Sequence, residues 1–276
     1  MERASDPFFW IEAGGARLRA RWLCPGDAPE EPVLVFLHEG LGCIELWRDF
    51  PARLCACLGL RGLVYDRVGY GGSDPLKAPR TPRYLHEQAE EVLPQVLAAS
   101  GIAAPVLFGH SDGGTIALLF AAAFPDRPRA LVVEAAHVFV EERSLAGIRS
   151  AVAAYRHGDL AARLARYHGD KTDATFWAWA ATWLSPPFRD WNIEAELRRI
   201  SAPTLVIQGE ADEYGTQLQV EAICRGVAGP AEAHLLPQCA HVPHLQAQQQ
   251  VLRLTRRFLE RHLGPLRPAP PPAPES

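Results

Sequence analysis

Five residues, Gly109-His110-Ser111-Asp112-Gly113, fit the pattern G-x-S-x-G. In that pattern a serine sits on a strand-to-helix turn so tight that its hydroxyl stands clear of the sheet edge. The two glycines have a steric reason: with Ser111 in a strained backbone conformation, a Cβ at Gly109 or Gly113 would collide with the neighbouring strand or helix. A serine hydroxyl is a poor nucleophile at its own pKa and needs a base within hydrogen-bond reach. The base needs an acid that fixes its tautomer and stabilises its charged form. On this kind of turn the partners follow in the chain order Ser, Asp, His. Asp212, in Gly209-Glu210-Ala211-Asp212, and His241, in Gln238-Cys239-Ala240-His241-Val242-Pro243-His244, supply that order. Glu210, Glu213 and Glu134 are rival acids, and His244 is either a rival base or a residue lining the pocket or capping a helix. His110 is expected to point away from the hydroxyl and to serve the structure. Acyl transfer also needs N–H donors for a developing oxyanion. The amide of Asp112 is one candidate, and the loop His38-Glu39-Gly40-Leu41-Gly42 offers the other, Gly40 before Leu41.

Stepping outward, the elements that must carry these residues are legible as alternating apolar runs. Residues 105–108 form a short apolar run ahead of the turn, and residues 115–123 after it are apolar and rich in helix formers. Extended segments are expected at 8–12, 17–23, 33–37, 63–65, 130–134, 203–208 and 232–236. Helical patterns fall at 47–58, 82–100 (with Pro94 as a kink), 216–227 and 243–263. Strands alternating with helices predict an α/β fold: a mostly parallel sheet of eight strands flanked by helices. The alternation stops between Val138 and Leu197, where the sequence is helical and dense in aromatics, including Tyr155, Phe176, Trp177, Trp179, Trp183 and Trp191. This predicts a small helical lid at 138–197, inserted after the sixth strand of a core formed by 1–137 and 198–264. A disordered, proline-rich tail is expected at 265–276, and residues 27–32 read as a polar loop. Leu41, Asp112, Trp177, Trp183 and His244 are the candidate substrate-binding residues.

Composition narrows the partners. The chain has 276 residues, 48% of them hydrophobic, and a net charge of −4 with no basic block. That argues against nucleic acid as a partner. No run of about 18 apolar residues suggests a membrane span, and no signal peptide is visible at the N-terminus. The six cysteines, Cys24, Cys43, Cys55, Cys57, Cys224 and Cys239, match neither C-x-x-C nor zinc-site spacing. A cytoplasmic protein with reduced thiols, no metal and no cofactor, acting on a small molecule, is the expectation; the oligomeric state is not legible.

These motifs together resemble the α/β-hydrolase superfamily, in its lidded, serine esterase-like branch, from Phe8 to Leu263. The points of resemblance are His38-Glu-Gly-Leu-Gly42 with Trp47, Asp66-Arg-Val-Gly-Tyr-Gly-Gly-Ser-Asp74, Gly109-His-Ser-Asp-Gly113, Gly209-Glu-Ala-Asp212 and Ala240-His-Val-Pro-His244. The oxyanion loop of such relatives usually begins His-Gly, and here Glu39 takes the glycine place. A serine rather than an aspartate on the elbow argues against an epoxide hydrolase or haloalkane dehalogenase. The Ser-Asp-Gly-Gly elbow is similar to that of valacyclovir hydrolase-like enzymes, which implies that Asp112 receives a cationic group of the substrate; alternatively its side chain faces solvent or pairs with an arginine. Three functions follow: hydrolysis of a small ester, thioester or lactone; hydrolysis of a carbon–carbon bond in ring-cleavage products by the same triad; or a non-catalytic receptor on the same fold.

Overall fold

The structure is a computed structural model that describes residues 7–23 and 32–266. Cys24, most of the loop expected at 27–32 and all but residues 265–266 of the proline-rich tail lie outside the described residues. The strands are β1 (Phe9–Ala13), β2 (Ala16–Leu23), β3 (Val33–Leu37), β4 (Gly62–Tyr65), β5 (Pro105–His110), β6 (Ala130–Glu134), β7 (Thr204–Gly209) and β8 (Ala231–Leu236). They form one eight-stranded sheet in the order β1-β2-β4-β3-β5-β6-β7-β8. Only the β1–β2 and β2–β4 pairs are antiparallel. Apolar runs explain the centre: β3 and residues 130–133 of β6 are buried because helices cover both faces, and Glu134, which ends β6, is buried against His244. At the edge, β8 alternates between exposed and half-buried residues.

The helices are α1 (Phe50–Leu58), α2 (Tyr84–Glu87), α3 (Leu93–Ala99), α4 (Asp112–Ala123), α5 (Glu142–His157), α6 (Leu160–His168), α7 (Thr172–Trp183), α8 (Glu194–Leu197), α9 (Gln217–Gly226), α10 (Pro243–Gln246) and α11 (Gln248–Leu263). The period-two alternation of β3 feeds two cores. Leu34 and Phe36 pack with Phe50 and Leu54 of α1 and Val251 and Phe258 of α11. Val33, Val35 and Leu37 pack with α3, α4 and α9 through Leu93, Ile116 and Val220.

Three expected helices are subdivided. The segment expected at 82–100 is helical, but Gln88–Val92 is a π-helical stretch between α2 and α3. Pro94 lacks the N–H an α-helix would spend on the residue four back, and a wider register next to it accommodates that loss. The pattern at 47–58 resolves into a 3-10 turn, Ile44–Trp47, followed by α1. The last helix breaks at Ala247, whose backbone (φ −130°, ψ 37°) is non-helical.

Helices α5 to α8 lie between β6 and β7, where the alternation stops in the sequence. Their aromatics pack on one another: Tyr155 stacks on Phe176 with ring centroids 3.8 Å apart, and Phe188 stacks on Trp191 at 5.2 Å. The insertion is also tied to the loop after β4. Lys171 Nζ donates to Gly71 O, and Thr175 Oγ1 donates to Gly69 O. No helix among the described residues is long and apolar enough to cross a membrane.

The register brings the carboxyl ends of β3, β5 and β6 level, with Leu37 opposite Gly109 and His110 opposite Glu134. The loops that follow therefore meet at one edge, as ligand-binding loops do in open α/β sheets. The turn between β5 and α4 is held at that edge by close approach. A Cβ at Gly113 would lie 1.8 Å from Leu37 O, and one at Gly109 would lie 2.3 Å from Gly113 O. Gly113→Ala is therefore expected to cost about 3 kcal/mol or more and to lower the melting temperature by roughly 6 °C or more. An unchanged thermal melt would contradict this packing.

Candidate active site

Ser111 stands between β5 and α4 with φ 53° and ψ −118°, a left-handed backbone that side chains rarely adopt. Its N–H donates to Glu134 O at 2.8 Å, and its carbonyl accepts from Thr115 N at 3.0 Å. The structure brings together the three residues singled out by chain order. Ser111 Oγ lies 3.0 Å from His241 Nε2, and His241 Nδ1 lies 2.8 Å from Asp212 Oδ1. A carboxylate only accepts, so Nδ1 carries the proton and Nε2 presents its lone pair to the hydroxyl. Asp212 Oδ1 also accepts from Tyr214 N at 2.8 Å. Burial pushes the Asp212 carboxyl up, but the hydrogen bond and charge of His241 outweigh it and hold the carboxyl below its ordinary value. The Tyr214 ring sits 4.6 Å from the His241 ring and limits its rotation.

The turn after β3 is fixed plane by plane. Glu39 O accepts from Arg67 Nη2 at 2.7 Å, Gly40 O from Tyr70 OH at 2.8 Å, and Leu41 O from His168 Nε2 at 3.0 Å. In a trans peptide the N–H points opposite to the carbonyl of the same plane. Tying Glu39 O and Gly40 O therefore fixes the orientation of the Gly40 and Leu41 amides, two residues that line the cavity. Asp112 is the first residue of α4, where N–H groups have no intrahelical acceptor. Donors are thus available from both sides of Ser111.

A cavity of about 250 Å³ opens at this point, lined by Gly40, Leu41, Ser111, Asp112, Trp183 and His241, among others. That is below the usual range for drug-sized ligands. Asp112 neither faces solvent nor pairs directly with an arginine. It is 1% exposed, and its Oδ2 accepts from Tyr84 OH at 2.8 Å, which in turn accepts from Trp183 Nε1 at 2.8 Å. Burial and the adjacent carboxylate push the Tyr84 phenol well above its usual value, so it stays a donor. This chain of bonds fastens α7 to the serine turn.

Two expected pocket residues lie elsewhere. Trp177 lines a separate outer groove with Leu76, Pro79 and Ala181, and Trp179 takes its place at the cavity. The reason is helical phase: Trp179 and Trp183 are one turn apart on the same face of α7, and Trp177 points off it. Trp179 approaches so closely that a Cβ at Gly40 would lie 2.4 Å from its Nε1. His244 does not line the cavity. Its Nδ1 is 2.7 Å from Glu134 Oε2, and its ring lies against Trp47 and Phe50. This pairing engages the rival base and the carboxylate of the rival acid Glu134 with each other rather than with the Ser111 hydroxyl. Glu213 does line the cavity, and its Oε2 accepts from His241 N at 3.3 Å.

His137, Ser144, Ile148 and Tyr214 also line the cavity and carry no sequence motif. Only the helical phase of Ser144 and Ile148, four residues apart on α5, could have signalled them. Burial, then the charge of His241, lowers the His137 pKa. Cys43, Glu45 and Asp66 cluster with ligand-type atoms within 4.8 Å of one another. The Arg19 guanidinium already neutralises that cluster, with Nη2 2.6 Å from both Glu45 and Asp66. Trp179→Ala should raise KM for a small neutral substrate about 5- to 30-fold, for about 1–2 kcal/mol of lost indole contact. Trp177→Ala should shift it less than about 2-fold. Equal effects in steady-state kinetics would contradict this assignment of faces.

Residues 32–196 match the family model described as the alpha/beta hydrolase fold. The chain is 28% identical over 205 residues to the serine hydrolase BPHL of Mus musculus, covering 72% of this chain and 69% of that protein. It is 25% identical over 287 residues to a 2-hydroxy-6-oxononadienedioate/2-hydroxy-6-oxononatrienedioate hydrolase of Klebsiella pneumoniae, covering 94% of this chain and 97% of that one. Among solved structures it is similar in fold to a proline iminopeptidase of Mycobacterium smegmatis, with a TM-score of 0.69 and 23% identity over 92% of this chain and 98% of that one. The chain belongs to the α/β hydrolase family, and it is a hydrolytic enzyme of that fold.

Proposed function

We propose that this enzyme is a serine hydrolase that cleaves a small carboxylic ester, thioester or lactone through an acyl-serine intermediate. The observation that carries this is the unbroken line from Ser111 Oγ to His241 to Asp212, at 3.0 Å and 2.8 Å. His241 Nε2 takes the hydroxyl proton as Ser111 Oγ attacks the carbonyl carbon, and Asp212 stabilises the imidazolium that forms. The carbonyl oxygen becomes an oxyanion between the Asp112 amide and the Gly40 amide, with Leu41 as the alternative second donor. His241 then returns the proton to the departing alcohol or thiol. A water molecule, deprotonated by His241, then attacks the acyl carbon; the bond to Ser111 Oγ breaks, His241 returns the proton to Oγ, and the acid is released. Helices α5 to α8, corresponding to 138–197, act as the lid over the acyl pocket, with Trp179 and Trp183 as its walls.

Charge favours this substrate class over the carbon–carbon reading. Asp112 and Glu213 line the cavity beside Glu39, which lies against His110, and no Lys or Arg among the described residues lines it. A substrate carrying two carboxylates, as the name of the Klebsiella relative's substrate implies, would meet uncompensated negative charge there. A neutral ester suits the cavity, and an ester bearing an ammonium group suits it better, with Asp112 beside the nucleophile as its partner.

Ser111→Ala should abolish both turnover and labelling by a fluorophosphonate, and Asp212→Asn should reduce kcat by roughly 10⁴-fold through the wrong His241 tautomer. Full turnover by Ser111→Ala would end this proposal, as would faster hydrolysis of a dienoate than of any ester in a matched panel. Asp112→Ala should lower kcat/KM for amino esters at least about 10-fold more than for neutral esters of equal size. An unchanged preference would remove the ammonium contact.

A further inference from the structure

His110 is used by no step above, yet it is 1% exposed and touches two of the loops that meet at Ser111. Its Nε2 is 2.7 Å from the backbone carbonyl of His241, and its Nδ1 is 3.6 Å from Glu39 Oε2. A carbonyl only accepts, so Nε2 must carry a proton. A bare Nδ1 lone pair would then face a carboxylate, whereas a second proton there turns repulsion into an ion pair. Glu39 is equally constrained from its own side. Its carboxylate folds back over Gly42, so that a Cβ there would lie 2.2 Å from Oε2, and its carbonyl accepts from Gly42 N at 3.1 Å. Glu39 is thus part of the turn that aims the Gly40 and Leu41 amides.

We propose that Glu39 and a doubly protonated His110 form a buried strut that sets the distance between the oxyanion turn and the backbone of His241. Both are positioning residues. Neither touches the reacting atoms, and each acts through the segment it holds. The inference rests on the Ser111–His241–Asp212 reading for its effect on rate, but the strut and the charge on His110 can be observed without it. The other ionisable groups facing His110 are compatible with that charge. The His244 ring lies 5.0 Å away and is itself paired to Glu134 at 2.7 Å, and the His241 ring lies 5.1 Å away and is engaged with Asp212. Burial opposes a charge on His110, but the Glu39 carboxylate 3.6 Å from Nδ1, with the Glu134 carboxylate behind it, outweighs burial and raises its pKa.

The test uses the full-length enzyme, a p-nitrophenyl ester and the variants Glu39→Ala, Glu39→Gln, His110→Ala, His110→Gln and Glu39→Ala/His110→Ala, each first checked for a wild-type circular dichroism spectrum. Glu39→Ala and His110→Ala should each lower kcat about 10- to 100-fold with KM within about 3-fold. The double variant should be no slower than the worse single one, because two ends of one strut fail together. Glu39→Gln should recover most of the loss, since its amide can donate to Nδ1 of a neutral His110. His110→Gln, whose amide can still donate to the His241 carbonyl, should recover part of it and serves if His110→Ala does not fold. Nitrogen NMR of the ring should show two protons on His110 at neutral pH in the wild type and one in Glu39→Gln. Additive losses, a rise in KM with unchanged kcat in both Glu39 variants, or a singly protonated His110 in the wild type would each overturn the strut. If Ser111→Ala keeps full turnover, the hydrolase mechanism fails, while the ring spectrum still decides the strut.

Discussion

A single backbone conformation constrains the centre of this molecule: the left-handed φ of 53° at Ser111. Such a residue costs of order 1–3 kcal/mol and persists only where its surroundings over-determine it. Here they do. The Ser111 N–H is taken by Glu134 O on the next strand, its carbonyl by Thr115 N in the helix that follows, and Gly113 lies so close to Leu37 that no side chain fits. The strain lifts Oγ off the sheet edge and delivers the first N–H of α4 to the same place. The placement of the Ser111 hydroxyl and that of the N–H are therefore two consequences of one turn.

The remaining groups are brought to that turn by ties that run between loops rather than within them. The turn after β3 has its carbonyls fastened by Arg67 and Tyr70 from the loop after β4 and by His168 at the end of α6. Helix α7 is fastened to the serine turn by Trp183, Tyr84 and Asp112 in a chain of 2.8 Å bonds. His110 spans from the Glu39 turn to the His241 loop. Because these ties are buried, each unsatisfied end would carry a desolvation cost. That makes the arrangement stiff, which suits a reaction whose geometry must be held before the substrate arrives.

The carboxylates show how position decides role. Asp212 is held ionised by His241, and Glu134 is spent on His244 at the base of the site. Glu39 lies 3.6 Å from His110, and Asp112 lines the cavity with one oxygen on Tyr84. Their residue types are nearly interchangeable in sequence, and only what each one faces separates them.

The sequence by itself determined the sheet and the order of its chemistry. The apolar runs at 33–37, 105–108 and 130–133 suit short strands buried on both faces, and the glycines around Ser111 suit a close-packed turn. Local pattern also carried the insertion between β6 and β7, since the strand alternation stops there. The tertiary structure decided which of several chemically equivalent residues reach the serine. Trp179 displaced Trp177 by the rotation of one helix, and His244 was taken out of the cavity by a carboxylate 110 positions earlier in the chain. His137 and Glu39 gained their neighbours the same way. Those outcomes depend on contacts between distant segments, whose geometry is fixed by packing and hydrogen bonding across the fold and is not encoded in any local spacing.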